Sequence, residues 1–181
     1  MSDDRYQEIC AAHRWRVPQR YNIGTDICDR VAAETPDATA MIWEDLDGTD
    51  HTVTFGWLRD QSNRLANGLR AQGLQRGDRV AVLLGQRPET AVAHIAILKA
   101  GLVSVPLFTA FAEPALAQRI GDSGARALIT DADQLPKAVA LLERGLDLNP
   151  VLCVGGVANK ILDYAGFLAA GSADFVPVDT D

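Results

Sequence analysis

The side chains able to do acid–base, nucleophilic or metal chemistry are sparse in this sequence and stand far apart. The three histidines, His13, His51 and His94, have no metal-ligand spacing. Cys10, Cys28 and Cys153 include no CxxC pair, which argues against structural zinc and a disulfide framework and suits a reducing cytoplasm. Neither a nucleophile elbow nor the GxGxxG or GxxxxGK[ST] phosphate loop occurs. No catalytic residue and no metal ligand is therefore expected within this chain.

What remains are binding candidates. The loop "GQRPET" follows an apolar run and opens a helix, where free N–H groups favour anions, so Gln86 and Arg87 are the cofactor-binding candidates. The competing reading is a plain strand-to-helix turn with a solvated arginine. In "PLFTAFAEPAL", Phe108 and Phe111 are the substrate-binding candidates, as lining of an apolar acyl pocket or as plugs beneath the next helix. The paired glycines of "VGGVANK" permit a close backbone approach, although a tight turn explains them equally simply. His94 reads as a hydrogen-bonded residue on a helix that packs on a sheet. Lys99, in the last turn of that helix, reads as a cation opposing the dipole and bonding the final carbonyls.

These candidates need elements to hold them. The spacing predicts a short helix over Asp3–Trp15, an extended connector "RVPQRYNIGT", and a helix from a Thr25 cap through Glu34. A β-hairpin is expected over Thr39–Phe55, turning at "DLDGTD", then a helix capped by Thr54 and stopped by a left-handed Gly73. Beyond it, the apolar strand "RVAVLL", a helix over Pro88–Lys99 ending at Gly101, and a buried strand "LVSVPL" follow in turn. The helix "EPALAQRIGDSG", strand "RALIT", helix "DQLPKAVALLERG", strand "VLCV" and final helix "NKILDYAGFLAAG" complete the alternation. Right-handed βαβ crossovers turn that order into an α/β fold: a mostly parallel sheet between helix layers, a flavodoxin-like three-layer subdomain preceded by an N-terminal helical segment and a β-hairpin. Residues 1–24 form a helix and connector, 25–171 the α/β subdomain, and 172–181 a linker.

Bulk properties exclude several classes. A length of 181 residues suits one domain, and a net charge of −7 provides no basic face for a nucleic-acid backbone. The acidic, polar start "MSDDRYQEIC" is no secretory signal, and no apolar run approaches the roughly 18–20 residues that span a bilayer. A cytoplasmic protein without nucleic-acid or membrane partners is expected.

The stretch from "VTFGWLRDQ" to "SVPLF" resembles the N-terminal segment of the AMP-forming acyl-CoA synthetases, of the adenylate-forming superfamily. The resemblance is carried by "T-F-x-x-L" at Thr54–Leu58, "RGDRVAV" at Arg76–Val82, "P-E" at Pro88–Glu89, "L-K-A-G" at Leu98–Gly101, "V-P-L" at Val105–Leu107 and "DSGARALIT" at Asp122–Thr130. It covers about Tyr21 to Asp133, and "YNIGTDICDR" and "PLFTAFAEPAL" look most like the acetyl- and medium-chain branch. Where many relatives have Pro-Asn before the Pro-Glu, this chain has "GQRPE", so no role carries over to Gln86 or Arg87.

The resemblance implies a two-step reaction for a complete relative. A carboxylate attacks the α-phosphate of Mg-ATP to give acyl-adenylate and pyrophosphate, and the CoA thiol then displaces AMP. ATP, Mg²⁺, CoA and a small carboxylic acid are thus implied for the complete enzyme, and none is expected to bind this segment by itself. The family's Lys-containing phosphate loop, Mg²⁺-binding Glu, ribose-binding Asp and C-terminal catalytic Lys have no match in these 181 residues. The chain is therefore expected to be an inactive scaffold subdomain whose partner is the remainder of a synthetase, with an exposed apolar face that favours dimers. Two other readings stay open: a self-sufficient flavodoxin-like small-molecule binding module, and a non-catalytic interaction subunit.

Overall fold

The computed structural model describes residues 3–15, 18–45 and 47–180. Arg16 and Val17 of the expected connector, Leu46 of the hairpin turn, and Met1, Ser2 and Asp181 at the ends lie outside the described residues. The sheet is built from β3 (Arg79–Leu83), β4 (Val103–Pro106), β5 (Ala127–Asp131), β6 (Val151–Val154) and β7 (Leu162–Asp163), all parallel, in the order β4-β3-β5-β6-β7. That is the flavodoxin-like 2-1-3-4-5 order, so the expected fold class is the observed one.

Alternation along the strands makes the three layers. Val80, Val82, Ala127, Ile129 and Leu152 face one core with α3 (Phe55–Ala71), α4 (Pro88–Lys99) and α7 (Tyr164–Ala169). Ala81, Leu83, Leu128, Val151 and Cys153 face the other core with α5 (Glu113–Ser123) and α6 (Leu135–Glu143). Both sides of the central strands are covered, which is why they read as continuous apolar runs. Ahead of this unit come α1 (Asp3–Ala12), a π-helical turn (Thr25–Asp29) leading into α2 (Arg30–Glu34), and the hairpin of β1 (Thr39–Glu44) and β2 (Asp50–Thr54). No described helix is long and apolar enough to cross a membrane.

Most expected stops are found. The Thr54 side chain accepts from Trp57 N at 3.2 Å, and Gly73 takes a left-handed φ of 85°. Five expectations need correction, four of them at the ends and edges of elements. The first helix ends at Ala12 rather than Trp15. Thr25 is not a cap: its own N–H donates to Asn22 Oδ1 at 3.1 Å, so Asn22 fills that place. The strand "LVSVPL" is not buried; it is the sheet's edge, with Val103 exposed. "NKILDYAGFLAAG" is not one helix. It supplies β7, and Asp163 then caps a shorter α7 by accepting from Gly166 N at 2.6 Å.

The largest departure is Lys99. It does not bond the last carbonyls of α4 but runs inward, with no solvent exposure. Its Nζ donates to Ser62 Oγ at 2.8 Å and Asn63 Oδ1 at 2.9 Å, and pairs with the Asp29 carboxylate. Gly24 makes room for this approach, since a Cβ there would lie 2.9 Å from Lys99 Cγ.

Asn63 extends the network by donating to Ala173 O at 2.8 Å. From there the tail is strapped along α3 and α4: Asn67 donates to Ser172 O and Asp174 O, both at 2.8 Å, and Val178 N to Lys99 O at 2.9 Å. Removing one partner from a buried pair leaves a charge without compensation. Lys99→Met is expected to destabilise the fold by about 3–5 kcal/mol in urea unfolding, and adding Asp29→Leu should recover part of that loss. Equal instability of the single and double variants would show that packing, and not charge, decides.

Candidate functional site

Ligands of open parallel sheets bind outside the strands' carboxyl ends, where the strand order reverses. Here the reversal flanks β3, and the chain's own acids occupy that edge. Asp131, at the end of β5, accepts from Gly85 N at 3.2 Å and Gln134 N at 3.1 Å. Glu89 lies in the first turn of α4, where a carboxylate offsets the helix dipole, and binds Arg87 Nε at 2.8 Å. Glu113 does the same at α5 and pairs with Arg144. Each helix start that could take a phosphate is thus already countered by a side chain of this protein.

The four candidate residues do not converge. Gln86 is exposed, and its carbonyl accepts from Trp43 Nε1 of the hairpin at 3.0 Å. Arg87 is half-buried and committed to Glu89. Phe108 is 65 % exposed. Phe111 is half-buried, lies edge-on to Phe108 at 5.7 Å between centroids, and sits beneath the Arg119 guanidinium. Gln86 and Phe108 meet in one cleft. It has a volume of about 250 Å³ and lies between the ends of β3 and β4, bounded also by Thr90 and His94.

His94 lines that cleft and makes the kind of contact its helix position suggests, with Nδ1 2.8 Å from Ser104 Oγ on β4. Burial lowers its imidazole below the usual histidine range, because the charged form is poorly solvated there. The other two histidines are elsewhere. His13 lies edge-on to Trp15, and His51 stacks on Trp43 and pairs with Asp45 at 2.9 Å. The glycines of "VGGVANK" form a turn in which Gly155 has φ 74°, and they carry the chain from β6 towards β7. Among the described residues, no three His, Cys, Asp or Glu side chains gather as a metal site.

A second cleft, of about 540 Å³, was not foreseen. It opens between α3, the start of α4, the end of β6 and α7. Its wall includes Tyr164, a residue that carried no sequence signal because tyrosine in an apolar helix reads as core.

Residues 28–170 match the model of the family described as AMP-binding enzyme. The chain belongs to that family. It is 35 % identical to the acetyl-coenzyme A synthetase of Vibrio cholerae, over 81 % of this chain and 22 % of that protein. With the acetyl-coenzyme A synthetase of Syntrophobacter fumaroxidans it shares 32 % identity, over 91 % of this chain and 28 % of that protein. The crystal structure of an acyl-CoA synthetase from Brucella canis superposes with a TM-score of 0.82 at 28 % identity, covering 97 % of this chain and 32 % of that one. The chain therefore spans about a quarter of the length of these curated relatives, and the resemblance read from "RGDRVAV", "L-K-A-G" and "DSGARALIT" is a family relationship.

The His94 environment sets a pH dependence. A histidine whose folded-state affinity for protons is lowered leaves stability intact above the unfolded value of about 6.5, and stability falls as pH drops through and below it. Urea midpoints of the protein should decline between pH 7.5 and 5.5, and His94→Gln should decline less. Equal declines would mean that His94 does not titrate with unfolding.

Proposed function

We propose that this chain is the N-terminal framework of an AMP-forming acyl-CoA synthetase, which joins a small carboxylic acid to CoA with conversion of ATP to AMP and pyrophosphate. The observation that carries this reading is the span of the likeness: 81–91 % of the chain aligns to acetyl-coenzyme A synthetases, yet it covers only 22–28 % of them. Its 181 residues contain no glycine-rich, lysine-bearing phosphate loop.

The acids along the sheet's carboxyl edge support a framework role. Asp131, Glu89 and Glu113 are spent on helix starts and on arginines, so the donor set does not fit a magnesium–nucleotide site. ATP, Mg²⁺ and the chemical step are assigned to the remainder of the synthetase, this chain's partner. Catalysis of this kind needs donors positioned where charge develops on the phosphate oxygens, and this segment holds up such a site without forming it. Gln86 and Phe108, in the cleft beside β3 and β4, are its best-placed side chains for contact with acyl group or CoA. Phe111 packs edge-to-face against Phe108.

The purified 181-residue chain is expected to show no ATP–pyrophosphate exchange with acids from acetate to octanoate. Its melting temperature should not move with ATP, CoA or flavin. Exchange above the no-enzyme rate would overturn the framework reading, and a saturable thermal shift with a nucleotide or flavin would favour a self-sufficient binding module instead.

A further inference from the structure

The hairpin of β1 and β2 reaches the sheet's carboxyl edge through a chain of side-chain contacts. At its tip, Asp45 Oδ1 accepts from the Asp47 and Thr49 amides, both at 3.0 Å, and Oδ2 lies 2.9 Å from His51 Nε2. His51 stands directly across the strands from Trp43, and the two rings stack at 5.1 Å between centroids with 28° between their planes. The Trp43 indole then donates to the Gln86 carbonyl at 3.0 Å. Gln86 belongs to the loop between β3 and α4 and lines the cleft that it shares with Phe108 and His94. Asp131 ties this loop to β5 by accepting from Gly85 N at 3.2 Å, and the Thr90 hydroxyl ties it to α4 by donating to Gly85 O at 2.7 Å. Trp43 adds the tie to the hairpin.

The middle link of this chain can change its charge. A protonated imidazole pairs with a carboxylate, and lies over an indole face, more favourably than a neutral one. The Asp45 carboxyl stays ionised throughout, because the His51 contact and then the Thr49 amide hold it below the usual carboxylate range. Glu44, Asp47 and Asp50 flank the pair on the hairpin. On the neighbouring elements, Arg59 is paired with Asp60 in α3, and Arg87 with Glu89 at the start of α4. His94, held to Ser104, is the titrating group on the far side of Gln86.

We propose that Asp45, His51 and Trp43 form a proton-operated latch on the Gln86 loop, drawn tight when His51 is charged and slackened when it is neutral. Trp43 is thereby a positioning residue for the rim of the Gln86–Phe108 cleft. That this cleft meets an acyl group or CoA rests on the function proposed above. The latch is read without ligand or activity, so either can fail while the other stands.

NMR of the ¹⁵N-labelled 181-residue chain between pH 5.5 and 8 tests it. The Trp43 indole N–H and the Arg87 amide, which shares a peptide group with the Gln86 carbonyl, should titrate together with the His51 ring. Measured against free indole at the same pH, the Trp43 N–H should exchange with water about threefold more slowly at pH 5.5 than at pH 8, the order expected of an exposed ion pair. His51→Phe keeps an aromatic ring without the charge, and should remove both the titration and the exchange difference. Asp45→Asn should at least halve that difference, whereas His94→Gln should leave both reporters titrating. The wild-type titration stands whether or not a variant folds. Reporters that follow His94 rather than His51, an exchange ratio independent of pH, or an unaffected His51→Phe would each overturn the proposal.

Discussion

A lysine ammonium with no solvent contact has to be satisfied completely or it unfolds what surrounds it. Lys99 is satisfied by oxygens from two elements at once: Asp29 on the N-terminal helical turn, and Ser62 and Asn63 on α3. Removing an ammonium from water costs several kcal/mol, so each of these oxygens has to be in place together. Ser62 can accept from Lys99 because its own proton goes to Leu58 O at 2.7 Å. Asn63 uses both ends of its amide, accepting from Lys99 and donating to Ala173 O. The charge therefore fixes how the N-terminal segment, α3 and α4 sit together. Through Asn63 and the Lys99 carbonyl, it also fixes where the tail runs.

The direction of the tail links this packing to function. Asn22 donates to Val178 O at 2.7 Å, and Tyr21 pairs with Thr180 as an antiparallel bridge. Polypeptide after Ala169 is thus bound to both the beginning of the fold and α3. A segment proposed as a framework for chemistry performed elsewhere needs a defined exit, because a reacting group misplaced by 1 Å is costly. The sheet's carboxyl edge is consistent with that division of labour: Glu89, Glu113 and Asp131 are already engaged by their own helix starts and by arginines.

The sequence makes local features legible and long-range ones obscure. Thr54, Gly73, Pro88, Gly101 and Gly124 announce their caps and stops, since each acts through its own backbone or nearest turn. The layers follow from the apolar runs at β3, β5 and β6. β7 is hidden because Leu162 and Asp163 are too few to show a period. β4 reads as buried because its residues are apolar, while its edge position depends on strand order, which no local pattern encodes. Lys99 at a helix end fits the dipole argument well. The facts that decide otherwise are Ser62 and Asn63, 37 and 36 residues away. Arg87 and Glu89 stand two residues apart in sequence, but that spacing could equally have left Arg87 free.

Hydrogen exchange at the Val178 amide tests the central claim most directly, that the buried Lys99 charge locks the tail to the α3–α4 pair. This N–H donates to the Lys99 carbonyl. If the claim holds, Val178 exchanges only through openings that also release the middle of α3 and α4, with the same free energy and the same dependence on denaturant. Exchange at the rate of a frayed terminus while α3 and α4 remain protected would contradict it.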